Sequence, residues 1–307
     1  MALEISEGTA SFPVASITKP CATWYKIFGN LKTATKCPLI VLHGGPGGNH
    51  HIVLANSKLA SADRAVIFYD QLGCGKSTHL PEKASDPSFW QMSLWISELS
   101  NLVAHLEITE YDLLGHSFGG MLATAYASTQ PTGLRRLVIA NAPPDFPSWI
   151  VAANRIRGTL SSEAQVAIAA GEASGNRETE AYEAAMKEFF GACACLLREN
   201  PDDLIACITL MMEDMTVATV TCGSSEFISQ GSLKDLDVTK DLANITVPTL
   251  VISGKHDRYE DHGIAKPFVK GIKNVEAAYF EHSSHMVSYE EPEKYLQIVG
   301  GFLDKVH

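Results

Sequence analysis

Basic side chains are scarce in this sequence: 24 Lys and Arg stand against 35 Asp and Glu, a formal net charge of −11. A nucleic-acid or anionic-membrane surface needs clustered Lys and Arg, so this balance argues against both partners. Long apolar runs are missing as well, and none approaches the ~20 residues needed to span a bilayer. The first residues, MALEISEGTASFPV, carry neither the basic start nor the apolar segment of a secretory signal. Internal repeats and low-complexity linkers are absent. The seven cysteines, at 21, 37, 74, 193, 195, 207 and 222, are odd in number and follow no zinc-binding spacing. Free thiols in a reducing compartment are therefore expected, with a cytoplasmic location and no metal or cofactor.

What remains is an ordinary globular composition, 46% apolar and 19% charged. The 307 residues suit one large domain or a domain with an insertion. Two β-rich stretches, residues 9–18 and 22–28, open the chain. A series of short apolar runs bounded by turn residues follows: "PLIVLHG" (38–44), "AVIFYDQ" (65–71), "YDLLGHS" (111–117), "RRLVIANAP" (135–143), "TLVISGKHD" (249–257) and "VEAAYFEHSSH" (275–285). Runs of this kind suit strands buried on both faces of a parallel sheet. Helical patterns alternate with them. In "SLWISELSNLVAHL" the apolar Trp95, Leu99, Leu102, Val103 and Leu106 recur at helical spacing, and "FGGMLATAYAST" stops before Pro131. Strand and helix in alternation predict a doubly wound α/β sheet.

From about Phe146 to Leu236 the strand signals vanish. "RETEAYEAAMKEFF" is helical by propensity, and "NPDDLIACITLMMEDM" offers Asn200 as N-cap with Pro201, Asp202 and Asp203 in the first turn. This stretch reads as a helical insertion over the sheet.

"GHSFGG" (115–120) fits G-x-S-x-G at a strand-to-helix junction, where a sharp turn lifts the serine hydroxyl above the sheet. A serine needs a base, and in this arrangement the acid and then the histidine follow it in the chain. Asp257 and His285 each lie where a strand ends, which is where open α/β sheets place their sites. Ser117 would attack, His285 would carry its proton, and Asp257 would fix the imidazole. His282 is the competing base, His256 reads as a surface or packing residue, and His50 and His51 read as loop residues. The bare stretch "VLHGGPGGNH" (41–50) then has a use. Attack by Ser117 puts negative charge on an oxygen, and the N–H of Phe118 and a second N–H from this loop can receive it. Pro46 cannot donate, which leaves Gly45 as the candidate. "DQLGCGKST" resembles a phosphate loop, but Asp70 occupies the position of its first glycine, so the match fails and Gly73 and Gly75 read as a structural turn.

Taken together, "HGGPG", "YDQLGCGKS", "GHSFGGMLATAYA", "GKHD" and "SSHMVSYEEPEKY" resemble the proline iminopeptidase family of α/β-hydrolases, in order and over nearly all of the sheet region. The resemblance implies an α/β-hydrolase core, residues 1–145 and 237–307, with a helical cap at 146–236. It implies a metal-free serine aminopeptidase with Ser117, Asp257 and His285 as the triad and Gly45 with Phe118 as the oxyanion hole. The substrate would be a small molecule or short peptide with a free N-terminal amine, and the released residue proline or a small apolar one. The family's cap holds glutamates for that amine. "SSEFISQGSLKDLD" (224–237) resembles that segment and makes Glu226 one such residue, with Glu213 or Asp214 as a second. Two departures stand out: the serine motif is a form shared with esterases, and "GACACLL" and "MMEDMTVATVTCG" do not read like the peptidase cap. An esterase, amidase or biosynthetic hydrolase with a diverged cap is the alternative, and a non-catalytic binding protein on the same fold a third reading. Oligomeric state stays open.

Overall fold

The computed structural model describes residues 3–259 and 261–305. An eight-stranded sheet forms the centre, in the order β1-β2-β4-β3-β5-β6-β7-β8. The strands are β1 (Ile5–Ser11), β2 (Ala22–Phe28), β3 (Leu39–Leu42), β4 (Val66–Tyr69), β5 (Tyr111–His116), β6 (Leu134–Ala140), β7 (Thr249–Gly254) and β8 (Val275–Phe280). From β4 to β8 every neighbour is parallel, and β1 and β2 join antiparallel at one edge. The six apolar runs all became strands. The opening one did not form at 9–18. It lies at Ile5–Ser11, because Pro13 cannot donate to a ladder and ends it. Residues 3–11 hid their strand character because β1 is an edge strand with mostly exposed side chains.

Helices α1 (Met92–His105), α2 (Phe118–Ser128), α8 (Lys266–Gly271), α9 (Val287–Glu290) and α10 (Pro292–Leu303) flank the sheet. The buried face of α1 is built on Trp95, Leu99 and Leu102, as its spacing predicts. The α2 face of the sheet carries the larger core, in which Leu42, Ile67, Leu113 and Ile139 meet Trp95 and Met121. The opposite face packs Val41, Phe68, Leu114 and Ile252 against Tyr295, Val299 and Phe302 of α10.

Between β6 and β7 lie five α-helices, α3 (Phe146–Arg157), α4 (Ser162–Ser174), α5 (Glu180–Cys193), α6 (Asp202–Glu213) and α7 (Thr216–Cys222), and a short 3-10 turn at Leu242–Asn244. The chain leaves and returns side by side, through an Asp145–Asp237 bridge and the bond from Phe146 N–H to Leu236 O at 2.9 Å. Helix α6 starts one residue later than the Asn200 cap predicts. Pro201 occupies the cap position without a side-chain bond, and its carbonyl receives the N–H groups of Leu204 and Ile205. Helices α4 and α5 have their own small core around Ile168, Tyr182 and Phe189. Among the described residues no single helix is long and apolar enough to cross a membrane.

One buried carboxyl makes the sheet sensitive to pH. Glu98 of α1 is fully buried and accepts from the Thr23 hydroxyl at 2.5 Å and from Leu72 N–H at 3.0 Å. Burial, against these two bonds, pushes its pKa up to about 7 from 4.5. The folded state thus holds this proton more tightly than the unfolded chain. The stability tied to it is complete below the unfolded pKa and is lost as pH rises through about 7. A rise of this size corresponds to on the order of 3 kcal/mol. A glutamine could keep both bonds, with its oxygen facing Leu72 N–H and its amide donating to the Thr23 hydroxyl. Glu98→Gln is therefore expected to flatten the loss of stability between pH 5 and 8, as read by urea unfolding at a series of pH values.

Candidate active site

Strand β5 lies between β3 and β6 in the interior of the sheet and turns into α2 through Ser117 alone. Ser117 has φ 57° and ψ −125°, a strained conformation for a residue with a side chain. The turn is tight enough that strand and helix backbones touch. A Cβ on Gly115 would lie 2.1 Å from the Gly119 carbonyl oxygen. Gly115→Ala is expected to prevent a folded product or to lower Tm by many degrees, whereas Gly191→Ala in α5, with open space around it, should leave Tm unchanged or slightly raised. A thermal melt of the two variants reads this directly.

Asp257 follows β7, is buried, and stands beside His285 in the loop after β8, with His285 Nδ1 donating to Asp257 Oδ2 at 2.9 Å. Burial alone would raise the Asp257 carboxyl. The His285 charge, the His285 and Asn141 side-chain bonds and Arg258 N–H outweigh it and hold the group below the ordinary carboxylate range. The bond to Nδ1 leaves Nε2 as the ring nitrogen free for proton transfer. Among the described residues the Ser117 hydroxyl makes no hydrogen bond to that ring. Such contacts are often long before substrate binds. The two loops nevertheless meet. His116, next to Ser117, donates from Nε2 to the His285 carbonyl at 2.9 Å, and the two rings are 4.8 Å apart.

The loop after β3 lies over the serine. A Cβ on Gly44 would fall 2.8 Å from Ser117 Cβ and 3.3 Å from its Oγ, so only bare backbone fits. Its shape is held by buried His43, whose Nδ1 donates to Gly44 O at 2.9 Å and whose Nε2 accepts from Gln71 N–H at 3.0 Å. One nitrogen donates and the other accepts, so the ring is neutral, in keeping with a pKa lowered chiefly by burial. Gly45 and Phe118 both line the pocket that contains Ser117. Phe118 is the first residue of α2, and a helix leaves such first-turn amides without an internal acceptor.

The pocket has a volume of about 80 Å³ and is walled from the insertion by Phe146, Trp149, Ile150, Cys222 and Glu226. Over residues 38–292 the chain matches the family model for the α/β hydrolase fold. The proline iminopeptidase of Clostridium botulinum is 37% identical over 285 residues, covering 92% of this chain and 94% of that protein. That of Saccharolobus solfataricus is 33% identical, covering 88% and 85%. Among solved structures, VinJ superposes with a TM-score of 0.90 at 37% identity over 97% of this chain and 98% of that one. The proline iminopeptidase of Mycobacterium smegmatis gives 0.84 at 35% identity, covering 97% of each chain. This chain belongs to the proline iminopeptidase family of α/β hydrolases.

Within this family member the other expected residues fall as follows. Glu226 faces the pocket, but one of its oxygens is already bound to Arg258 Nη2 at 2.8 Å. Glu213 is a correction. It is exposed at the end of α6 and does not line the pocket, because the chain turns there and Asp214 is drawn instead to His79 Nδ1 at 2.7 Å. His282 and His256 are exposed. His50 is not a loose loop residue: it is buried, with its N–H and Nδ1 on Asp70 at 2.7 and 2.9 Å. Asp70 also accepts from Lys76 N–H, so the phosphate-like loop is wrapped around a carboxylate.

Sequence reasoning missed the residues that hold the site. Asn141, just past β6, donates from Nδ2 to Asp257 Oδ2 at 2.7 Å and to Ser284 O at 3.0 Å. Glu290 accepts from Ser284 N–H, the Ser284 hydroxyl and Met286 N–H, and Glu291 from the Ser283 hydroxyl, which fixes the loop carrying His285. His116 is neutral. Burial first and the His285 charge second push its pKa down to about 3. Asn141→Ala should lower kcat by about tenfold or more with KM little changed, since a charge-assisted bond to the Asp257 carboxylate is lost and substrate contacts are not. Steady-state kinetics separates the two parameters.

Proposed function

We propose that this enzyme releases the N-terminal residue of a small peptide or aminoacyl amide through an acyl-enzyme formed on Ser117. The observation that carries the reading is the His285–Asp257 pair, which stands behind a strained serine at the mouth of a small pocket. Ser117 Oγ attacks the scissile carbonyl and its proton passes to His285 Nε2. The carbonyl oxygen gains the negative charge, and the Gly45 and Phe118 N–H groups receive it, a donor of this kind contributing roughly 3 kcal/mol. His285 then protonates the leaving amine as the C–N bond breaks. A water, deprotonated by the same nitrogen, hydrolyses the ester and restores the serine. Asp257 holds the ring in the tautomer that keeps Nε2 free and stabilises the imidazolium.

The bulky apolar Phe146, Trp149 and Ile150 wall the pocket beside Ser117, which suits a small acyl residue. The insertion at 146–236 acts as a cap that closes this pocket, and Glu226 offers its second oxygen to the substrate ammonium. The seven cysteines are free thiols, which fits a reducing compartment such as the cytoplasm. Turnover of a panel of aminoacyl arylamides, proline included, beside N-acylated controls and simple acyl esters, tests the reading. Cleavage of the free-amine substrates is expected. Efficient ester cleavage with no aminoacyl turnover would overturn it in favour of an esterase.

A further inference from the structure

The residue after the triad aspartate has no place in the mechanism above, yet it is built into the same pocket. Arg258 is buried and lines the cavity together with Ser117 and Glu226. Its guanidinium lies 4.0 Å from the Trp149 ring centre and 5.1 Å from that of Phe189, so two aromatic faces fix its plane. Nη2 is bound to Glu226 Oε2 at 2.8 Å. Arg155 holds its backbone by donating to the Arg258 carbonyl. Nη1, by contrast, is buried with no hydrogen-bond partner among the described residues. The neighbouring Cys193 thiol, which donates to the Phe189 carbonyl, offers the guanidinium only its sulfur, a weak acceptor that completes such an N–H poorly.

An unpaired guanidinium N–H in a closed site is costly unless something completes it. The pairing also changes what Glu226 can do. An isolated carboxylate selects any ammonium, whereas the Glu226–Arg258 pair is neutral overall. It presents an acceptor, the second Glu226 oxygen, beside a donor, Arg258 Nη1. Its complement is an acyl group that carries an N–H donor and an oxygen acceptor close together.

We propose that Arg258 is a specificity-determining residue: Glu226 takes the substrate's amine while Arg258 Nη1 donates to an oxygen on the same acyl residue, so that small aminoacyl groups bearing a carbonyl or carboxamide oxygen are favoured over purely apolar ones. The inference rests on the aminopeptidase reading and narrows its substrate class.

Asparaginyl and leucyl arylamides test it, because their side chains are close in size and differ in the oxygen acceptor. The wild-type enzyme should favour the asparaginyl substrate in kcat/KM by about tenfold or more, the value of one hydrogen bond to a charged group. Arg258→Met, which keeps much of the packing on Trp149 and removes the donors, should bring the ratio close to one or below. Labelling of Ser117 by a fluorophosphonate reports whether the variant has kept its folded site. An unchanged ratio in a labelled variant overturns the inference and leaves the aminopeptidase reading intact. Should the variant fail to fold, the wild-type ratio decides alone, and a preference for the leucyl substrate overturns the inference. A wild-type enzyme that is labelled but cleaves no aminoacyl arylamide overturns both readings.

Discussion

Replacing the hydroxyl of Ser117 is expected to lower kcat/KM by roughly 10⁵-fold or more while the protein keeps its fold. The size follows from what is lost. Without the nucleophile no acyl-enzyme forms, and the remaining N–H donors and pocket walls act only on direct attack by water. The fold should tolerate Ser117→Ala because the strain at position 117 lies in the backbone, φ 57°, and one oxygen is removed from a residue already in that conformation. The N–H and carbonyl of residue 117 bond to Ala140 O and Gly120 N, and both bonds survive the change. Circular dichroism and a thermal melt beside the kinetics separate lost chemistry from lost structure.

Asp257→Asn should come next, with kcat about 10⁴-fold lower. Oδ2 of Asp257 accepts from both His285 Nδ1 and Asn141 Nδ2, and Oδ1 accepts from Arg258 N–H at 2.6 Å. An amide has one oxygen and one NH2 group. If its NH2 faces His285, two donors oppose each other and the imidazole must move its proton to Nε2, where it can no longer accept one from serine. If its NH2 faces Arg258, the backbone N–H there is opposed instead. Either way one buried donor loses its acceptor and the support for the imidazolium is gone. The depressed Asp257 carboxyl also sets an acid limit. Stability tied to it is present above the unfolded pKa of 3.8 and is lost as pH falls through its lower folded value. The asparagine variant should lack that portion of acid unfolding.

The sheet was legible because five of the six apolar runs are buried on both faces, a pattern that survives in the letters, and the sixth, edge strand β8, still buries Ala278 and Phe280 on one face. The serine turn was legible because strand, glycine spacing and helix are adjacent in the chain. Edge strand β1 was displaced in the reading because its outward side chains give no alternation to read. Asn141 and Arg258 were not legible at all. Asn141 reaches Asp257 across 116 residues, and Arg258 meets Glu226 across 32, so no local spacing records either contact. The second amine-binding carboxylate, Glu213 or Asp214, eluded the reading for a related reason: the family resemblance marked it near the end of α6, but the chain turns there, leaving Glu213 exposed and Asp214 bound to His79. Only the acidic pair Glu290-Glu291 carried a usable signal, since carboxylates directly after the "HSSH" loop are well placed to bind its N–H and hydroxyl groups.

The most direct test is to treat the enzyme with a fluorophosphonate, map the adduct by peptide mass spectrometry, and follow aminoacyl arylamide turnover as the adduct forms. One adduct per chain on Ser117, with activity falling in step, is the predicted result. Full turnover by protein modified at Ser117, or an inactivating adduct on a different residue, would contradict the account.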